Sequence, residues 1–283
     1  MKAAITGITG FVGNRLKEHL ESLKWIVVPL RREDIAKESN ELSMLIDGCD
    51  VIINLAGAPI LNRHTAAYRK IVYDSRILTT QKVVNAIKLL DNQNPLFISA
   101  SAVGIYSDIG VNTESSFGYA NDFMAQVCND WEQAALEAKS ITSVAIVRMG
   151  IVLDKKEGAL QQMLLPFKLG VGGKIGTGKQ MFSWIHIHDL INAFMFVING
   201  KQSGIYNFTS PGYLNNDDFT KILAKTLNRP AFFTVPEFAL KLLYGSGAET
   251  ITSSHAVYPE RLLNEGFEFK FPIIENALED ILL

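Results

Sequence analysis

Only two cysteines occur in the 283 residues, Cys49 and Cys128. They are far apart, match no metal-ligand spacing and are too few to staple a chain of this length, so a zinc fold and a disulfide scaffold are both excluded. A reducing, cytoplasmic setting is the expectation. Also missing is any apolar run near the roughly 18 to 20 residues that a membrane-spanning helix needs, so no membrane partner is expected. The apolar start Ala3-Ala4-Ile5 is broken at once by Thr6-Gly7, which argues against a targeting segment. An excess of either charge is lacking as well. The 27 basic and 29 acidic residues nearly cancel, leaving no broad basic surface of the kind that holds nucleic acid through its phosphates. A small, neutral-to-anionic molecule is the expected partner. No internal repeat and no low-complexity tract is found.

What is present is apolar material in an α/β rhythm. At 48% hydrophobic the chain can bury a large core. Short apolar runs alternate with stretches of helical period, the pattern of repeated βαβ units around a parallel sheet. Lys2–Thr6 reads as a buried strand. Val12, Leu16, Leu20 and Leu23 follow at helical spacing, and Trp25 to Leu30 reads as the second strand. Asp50 to Leu55, Pro95 to Ala100, Val144 to Arg148 and Gly204 to Phe208 continue the series, with a helix expected from about Ala66 to Leu90 and another through Met124, Cys128, Trp131 and Ala135. Between them, a polar loop is expected over 104–121. Gly170 to Gly178 reads as irregular loop around a pocket, and Trp184 to His188 as a strand leading into a helix that Asp189 could cap. The expected fold is a Rossmann-type, doubly wound parallel sheet. Residues 1–211 are assigned to it with the pocket loops. A small C-terminal subdomain is placed over 230–283, where Phe232, Phe233, Phe238, Phe267, Phe269 and Phe271 read first as its own core and second as a lid on an apolar cavity.

The strongest local signal is Gly7-Ile-Thr-Gly10-Phe-Val-Gly13, set between a strand and a helix. The first glycine permits a tight turn, the second lets backbone approach a pyrophosphate, and the third lets helix and strand pack closely. The helix N-terminus then faces the phosphates. Thr9, Phe11 and Val12 complete this expected cradle. The second strand ends Leu30-Arg31-Arg32 with no carboxylate at its tip, which favours the 2′-phosphate of NADP(H) over the free ribose of NAD. Arg31 is the first candidate contact and Arg32 the second. Leu55, Ala56 and Gly57 end the third strand on the same edge, where small side chains let a loop close over the adenosine half.

Together these residues resemble the extended short-chain dehydrogenase/reductase superfamily of NAD-dependent epimerases and dehydratases, from Met1 to about Pro211. The segments Ser99-Ala-Ser-Ala-Val-Gly-Ile-Tyr106, Thr113-Glu114, Cys128-Asn-Asp-Trp131-Glu132, Ser183-Trp-Ile-His186 and Pro259-Glu-Arg-Leu-Leu-Asn-Glu-Gly-Phe267 narrow this to the epimerase-like family 39U, with its short C-terminal domain of unknown function. The resemblance implies NADP binding and an uncharacterised activity. The superfamily's chemistry uses a Tyr-x-x-x-Lys pair, yet none of the eight tyrosines has lysine four residues on. Anchored on Trp131-Glu132, the pair's positions fall on Met124 and Cys128. Methionine cannot transfer a proton, and Cys128 sits on an apolar helical face. Ser101 and Tyr106 are therefore the catalytic candidates, with Ser99 on the cofactor side. His186 and His188 lack a third ligand and are read as pocket residues, not a metal site. Two functions follow as expectations: an NADP(H)-dependent, epimerase-like oxidoreductase acting on a small molecule, or a non-catalytic protein that senses NADP(H) redox state.

Overall fold

The structure is a computed structural model that describes residues 1–91, 94–116 and 118–283. Phe117, within the expected polar loop, lies outside the described residues. Six strands form one parallel sheet: β1 (Lys2–Thr6), β2 (Ile26–Leu30), β3 (Val51–Asn54), β4 (Leu96–Ala102), β5 (Val144–Met149) and β6 (Gly204–Phe208), in the order β6-β5-β4-β3-β1-β2. Winding starts at the centre and proceeds outward in both directions, so the order reverses between β1 and β3. Such a switch point opens a crevice beyond the carboxyl ends of the strands. The glycine loop follows β1 and Leu55–Gly57 follows β3, one on each side of it.

Side chains alternate across the strands, as the two-residue period of extended backbone requires. Ala3, Ile5, Val51, Ile53, Ile98 and Val147 face one side, where Leu16, Leu20, Leu190 and Phe194 join them. Ala4, Ile52, Phe97 and Ile146 face the other, with Leu42, Ile46, Val83 and Val84. Both faces are thus covered by helices. The helix after β3 runs Ala66–Ile87 and starts where Thr65 accepts a hydrogen bond from the Tyr68 amide, a side-chain cap on an otherwise orphaned N–H.

A separate apolar cluster joins Leu153, Leu160, Leu164 and Trp184 to Phe219, Leu223, Phe271, Leu278 and Ile281. The C-terminal helix Ile274–Leu282 therefore packs with segments that precede residue 211, and the boundary expected near Pro230 does not coincide with a break in the core. The six C-terminal phenylalanines also divide differently from the expectation. Phe267 and Phe269 pack against the main core and Phe271 against the separate cluster, whereas Phe232, Phe233 and Phe238 are exposed.

Three local expectations are corrected. Within the glycine-rich stretch, Gly173–Ile175 is a short strand paired parallel with Phe233–Val235. Trp184–His186 is a strand, but His188 already belongs to the helix Ile187–Asn199. That helix is capped by His186, whose Nδ1 accepts from the His188 amide at 3.0 Å. Asp189 is fully buried and instead accepts from the amides of Lys270 and Phe271 at 2.9 and 2.8 Å. It fixes the C-terminal segment to that helix.

Candidate functional site

Gly7 has φ +67°, and a side chain there would stand 2.6 Å from the Leu55 carbonyl oxygen. A Cβ on Gly13 would meet the Gly7 carbonyl oxygen at 2.3 Å. These two glycines are thus demanded by the packing of the loop on itself and on the end of β3. Gly10 differs. It is the N-cap of the helix Phe11–Ser22 with no side chain capping that end, so the first-turn amides remain available to a ligand. Thr9 and Gly10 are exposed, Phe11 and Val12 half-buried.

Beneath the loop, Thr6 Oγ1 donates to Asn54 Oδ1 at 2.6 Å and accepts from the amides of Leu55 and Ala56, both at 3.1 Å. Asn54 in turn donates to Thr80 at 2.7 Å. Gly57 lies against the Arg76 guanidinium, 2.9 Å from where its Cβ would stand, and Arg76 donates to the Ala58 and Val72 carbonyls. Thr6, Asn54, Thr80 and Arg76 thus hold both loops of the crevice in place. Asn54 opens the segment that ends the third strand, whereas Thr6, Thr80 and Arg76 have no distinctive spacing in the sequence. Ser99 is fully buried, and its hydroxyl faces Asn54 rather than the crevice.

At the tip of β2, Arg31 is 63% exposed, its guanidinium 3.8 Å from Glu33. Arg32 is exposed as well. The Arg31 amide is tied to Asp34 at 2.9 Å, which fixes the backbone while leaving the side chain to reach outward.

The expected catalytic pair is corrected by burial. Ser101 Oγ donates to Glu132 Oε1 at 2.6 Å, and Arg148 donates to both oxygens of Glu132, at 2.8 and 2.7 Å. A third bond from Arg148 reaches the Tyr106 hydroxyl at 2.7 Å, and that hydroxyl donates to Asn207 Oδ1 at 2.8 Å. All five groups are nearly or wholly inaccessible. Burial pushes the Tyr106 phenol up to about 12, against the pull of Arg148. This is a satisfied internal network of the kind that buried charges require. Neither Ser101 nor Tyr106 lines the cavity beside the glycine loop. Glu114 extends the network, accepting from the amides of Asn207 and Arg261, so the Thr113-Glu114 and Trp131-Glu132 segments are structural.

The cavity itself, about 580 Å³, lies beyond the ends of β4 and β5. Phe11 of the glycine loop lines one side. Met124 and Cys128 line another, so the positions expected for the tyrosine and lysine do face the cavity, with side chains that cannot perform that chemistry. Burial and the nearby Glu132 push the Cys128 thiol up to about 12, which keeps it protonated and inert. Residues from the C-terminal segment form the remaining wall, among them Val235, Leu240, Tyr244 and His255.

His255 is the unexpected member. The backbone carbonyl of Tyr106 lies beside its ring and favours the protonated form. Nδ1 is buried without a hydrogen-bond partner among the described residues. Burial holds its pKa below the ordinary histidine value, while Asp122, the Tyr106 carbonyl and Asp108 pull it back. The ring is accordingly neutral at neutral pH. Sequence reasoning missed it because a histidine 149 positions beyond Tyr106 joins the site only through tertiary packing. By contrast His186 stacks on Phe271 at 4.0 Å and Trp184 donates to the Gly212 carbonyl at 2.8 Å; both are core residues. Among the described residues, no group of three or more His, Cys, Asp or Glu could hold a metal ion, and no helix is long and apolar enough to cross a membrane.

Comparisons with known proteins agree with this geometry. The pattern of the NAD dependent epimerase/dehydratase family matches residues 3–208, and that of a domain of unknown function (DUF1731) matches residues 235–281. The chloroplastic SDR39U1 homolog of Arabidopsis thaliana, named an epimerase family protein, is 35% identical over all of this chain and 87% of its own length. An epimerase family protein of Staphylococcus aureus (strain MRSA252) is 33% identical, with 98% of each chain covered. Among solved structures, that of human epimerase family protein SDR39U1 (isoform 2) with NADPH superposes with a TM-score of 0.90 at 32% identity, covering 99% of both chains. A dTDP-4-dehydrorhamnose reductase from Clostridium acetobutylicum shares the fold alone, at 16% identity and TM-score 0.78. With a Rossmann-like sheet, a glycine cradle at its switch point and relatives matched along the whole chain, the protein belongs to the NAD dependent epimerase/dehydratase family.

Proposed function

We propose that the chain is an NADP(H)-dependent, epimerase-like oxidoreductase whose small-molecule substrate occupies the cavity beside the glycine loop. The observation that carries this reading is a single cavity lined by both Phe11 of the loop and His255, which brings the cofactor cradle and a titratable imidazole to the same chamber. The cradle fits a dinucleotide: Gly7 and Gly13 are excluded from carrying side chains, Gly10 leaves the helix end bare, and Arg31 stands ready for a 2′-phosphate. When bound, the cofactor would supply or accept hydride. The His255 imidazole takes the substrate proton in the oxidative direction and returns it in the reductive one, a task suited to a ring that is neutral at neutral pH.

A panel of carbonyl compounds assayed for NADPH oxidation tests the assignment. The expected result is turnover that His255→Gln lowers by about 10²- to 10⁴-fold, as the loss of an acid/base group does, with NADPH affinity unchanged. Turnover undiminished in His255→Gln would contradict it. The replacement of the usual pair by Met124 and Cys128 favours a second reading, a binding protein that reports NADP(H) redox state. Tight NADPH binding with no turnover across the panel would support that one.

A further inference from the structure

Three arginines lie beside the crevice, and two of them, both buried, are matched. Arg148 is paired with Glu132. Arg76 donates to two backbone carbonyls and lies over the Trp131 ring at 5.2 Å. Arg69, one turn into the helix Ala66–Ile87, is different. Its guanidinium lies over the Phe123 ring, 5.0 Å from the centroid, and its Nε is buried without a hydrogen-bond partner. No carboxylate lies within ion-pair distance of it among the described residues. A half-buried guanidinium whose Nε is buried and unpaired is favoured by an anion that completes it. Arg69 lines the cavity, so the place for that anion is inside it.

The rest of the chamber is predominantly apolar, with neutral polar side chains such as Gln162, Gln180 and Asn216 among its lining. Ile60, Leu61, Met124, Met163 and Phe167 are among its walls, and of the two carboxylates on its rim, Asp122 and Glu249, both are exposed. Asp122 also spends one oxygen on capping the helix Phe123–Leu136, accepting from Ala125 at 2.9 Å. The wall formed by Glu237–Tyr244 points the same way. This helix buries none of its residues: Leu240 and Tyr244 face the cavity, while Phe238, Leu242 and Leu243 are 73%, 74% and 67% exposed. An apolar wall on this side of the chamber suits a ligand with a long apolar body.

From this we infer the substrate class: an apolar molecule carrying one anionic headgroup, carboxylate or phosphate, with the headgroup held by Arg69 and the apolar body in the chamber. The inference rests on the proposed function and names what that site accepts. A guanidinium fixed on an aromatic face presents its fork to either anion bidentately, and the low-polarity surroundings strengthen the contact.

The test uses the full chain saturated with NADPH and titrated calorimetrically with dodecanoate, dodecyl phosphate and dodecanol. At least one of the two anions should bind about tenfold or more tightly than the alcohol, the ratio a charge-assisted hydrogen bond supplies. Whichever anion is preferred identifies the headgroup. Arg69→Met, which keeps an unbranched stem on Phe123, should abolish the preference and leave dodecanol binding and NADPH affinity as they were; Arg69→Gln replaces it if melting shows the first variant unfolded. Equal binding of alcohol and anions, or a preference that survives in the variant, overturns the inference. So does a fall in NADPH affinity in Arg69→Met, which would assign Arg69 to the cofactor. If the wild-type protein binds no NADPH at all, the proposed function fails, and the same three titrations on the cofactor-free chain still decide the headgroup question.

Discussion

At the scale of single residues, Ser101 and Tyr106 carry a general lesson about polar side chains near the end of a central strand. Such a residue has two uses, facing a ligand or satisfying a buried charge, and sequence spacing alone does not separate them. Here the deciding partner is Arg148, whose guanidinium sits inside the sheet and draws Glu132, Tyr106 and, through Glu132, Ser101 around itself. Tyr106→Phe should therefore act on stability. It leaves an Arg148 N–H and the Asn207 carbonyl unmatched, at about 1 to 3 kcal/mol, whereas Glu132→Gln breaks the buried pair itself at about 3 to 5 kcal/mol. Urea unfolding checks both, and a Tyr106→Phe protein of wild-type stability but reduced turnover would restore the phenol to the catalytic role.

At the scale of elements, the loop between β1 and its helix was legible because its glycines answer to local geometry: a left-handed turn at Gly7 and a close helix–strand approach at Gly13 leave marks in any sequence. The three positions are nonetheless not equivalent. At Gly10 a Cβ would stand 3.2 Å from the Gly7 carbonyl oxygen, a contact that a small shift relieves, so this position can accept a side chain without unfolding the loop. Gly10→Val should keep wild-type circular dichroism and melt within a few degrees of it, yet lose NADPH binding as the isopropyl group covers the first-turn amides. Retained NADPH affinity in the folded variant would place the cofactor elsewhere. The strands of the sheet were legible for a comparable reason, being short apolar runs at regular intervals. His188 and Asp189 were misread because a strand passing directly into a helix with no intervening loop gives no boundary signal, and because Asp189, which has the sequence habit of a cap, is taken up by the amides of Lys270 and Phe271.

At the scale of the whole molecule, the order β2-β1-β3-β4-β5-β6 sets the two ends of the crevice apart: one bounded by the glycine loop and Arg31, the other closed by the segment 235–255. The first was readable because all its parts lie within the opening βαβ unit. The second was not, since His255, Arg69 and Met163 come from distant stretches that meet only when the C-terminal segment docks, and an apolar chamber has no motif. Everything proposed for the chamber depends on the cofactor lying where the first end puts it. The most direct measurement is a calorimetric titration of wild-type protein and Arg31→Ala with NADPH and NADH. The wild-type protein should bind NADPH about tenfold more tightly than NADH, and Arg31→Ala should erase that difference at a cost near the lower end of the 1.5 to 3 kcal/mol typical of a charge-assisted contact, because the side chain is exposed. Equal affinity of the wild-type protein for both cofactors, or an unchanged preference in Arg31→Ala, would contradict the account.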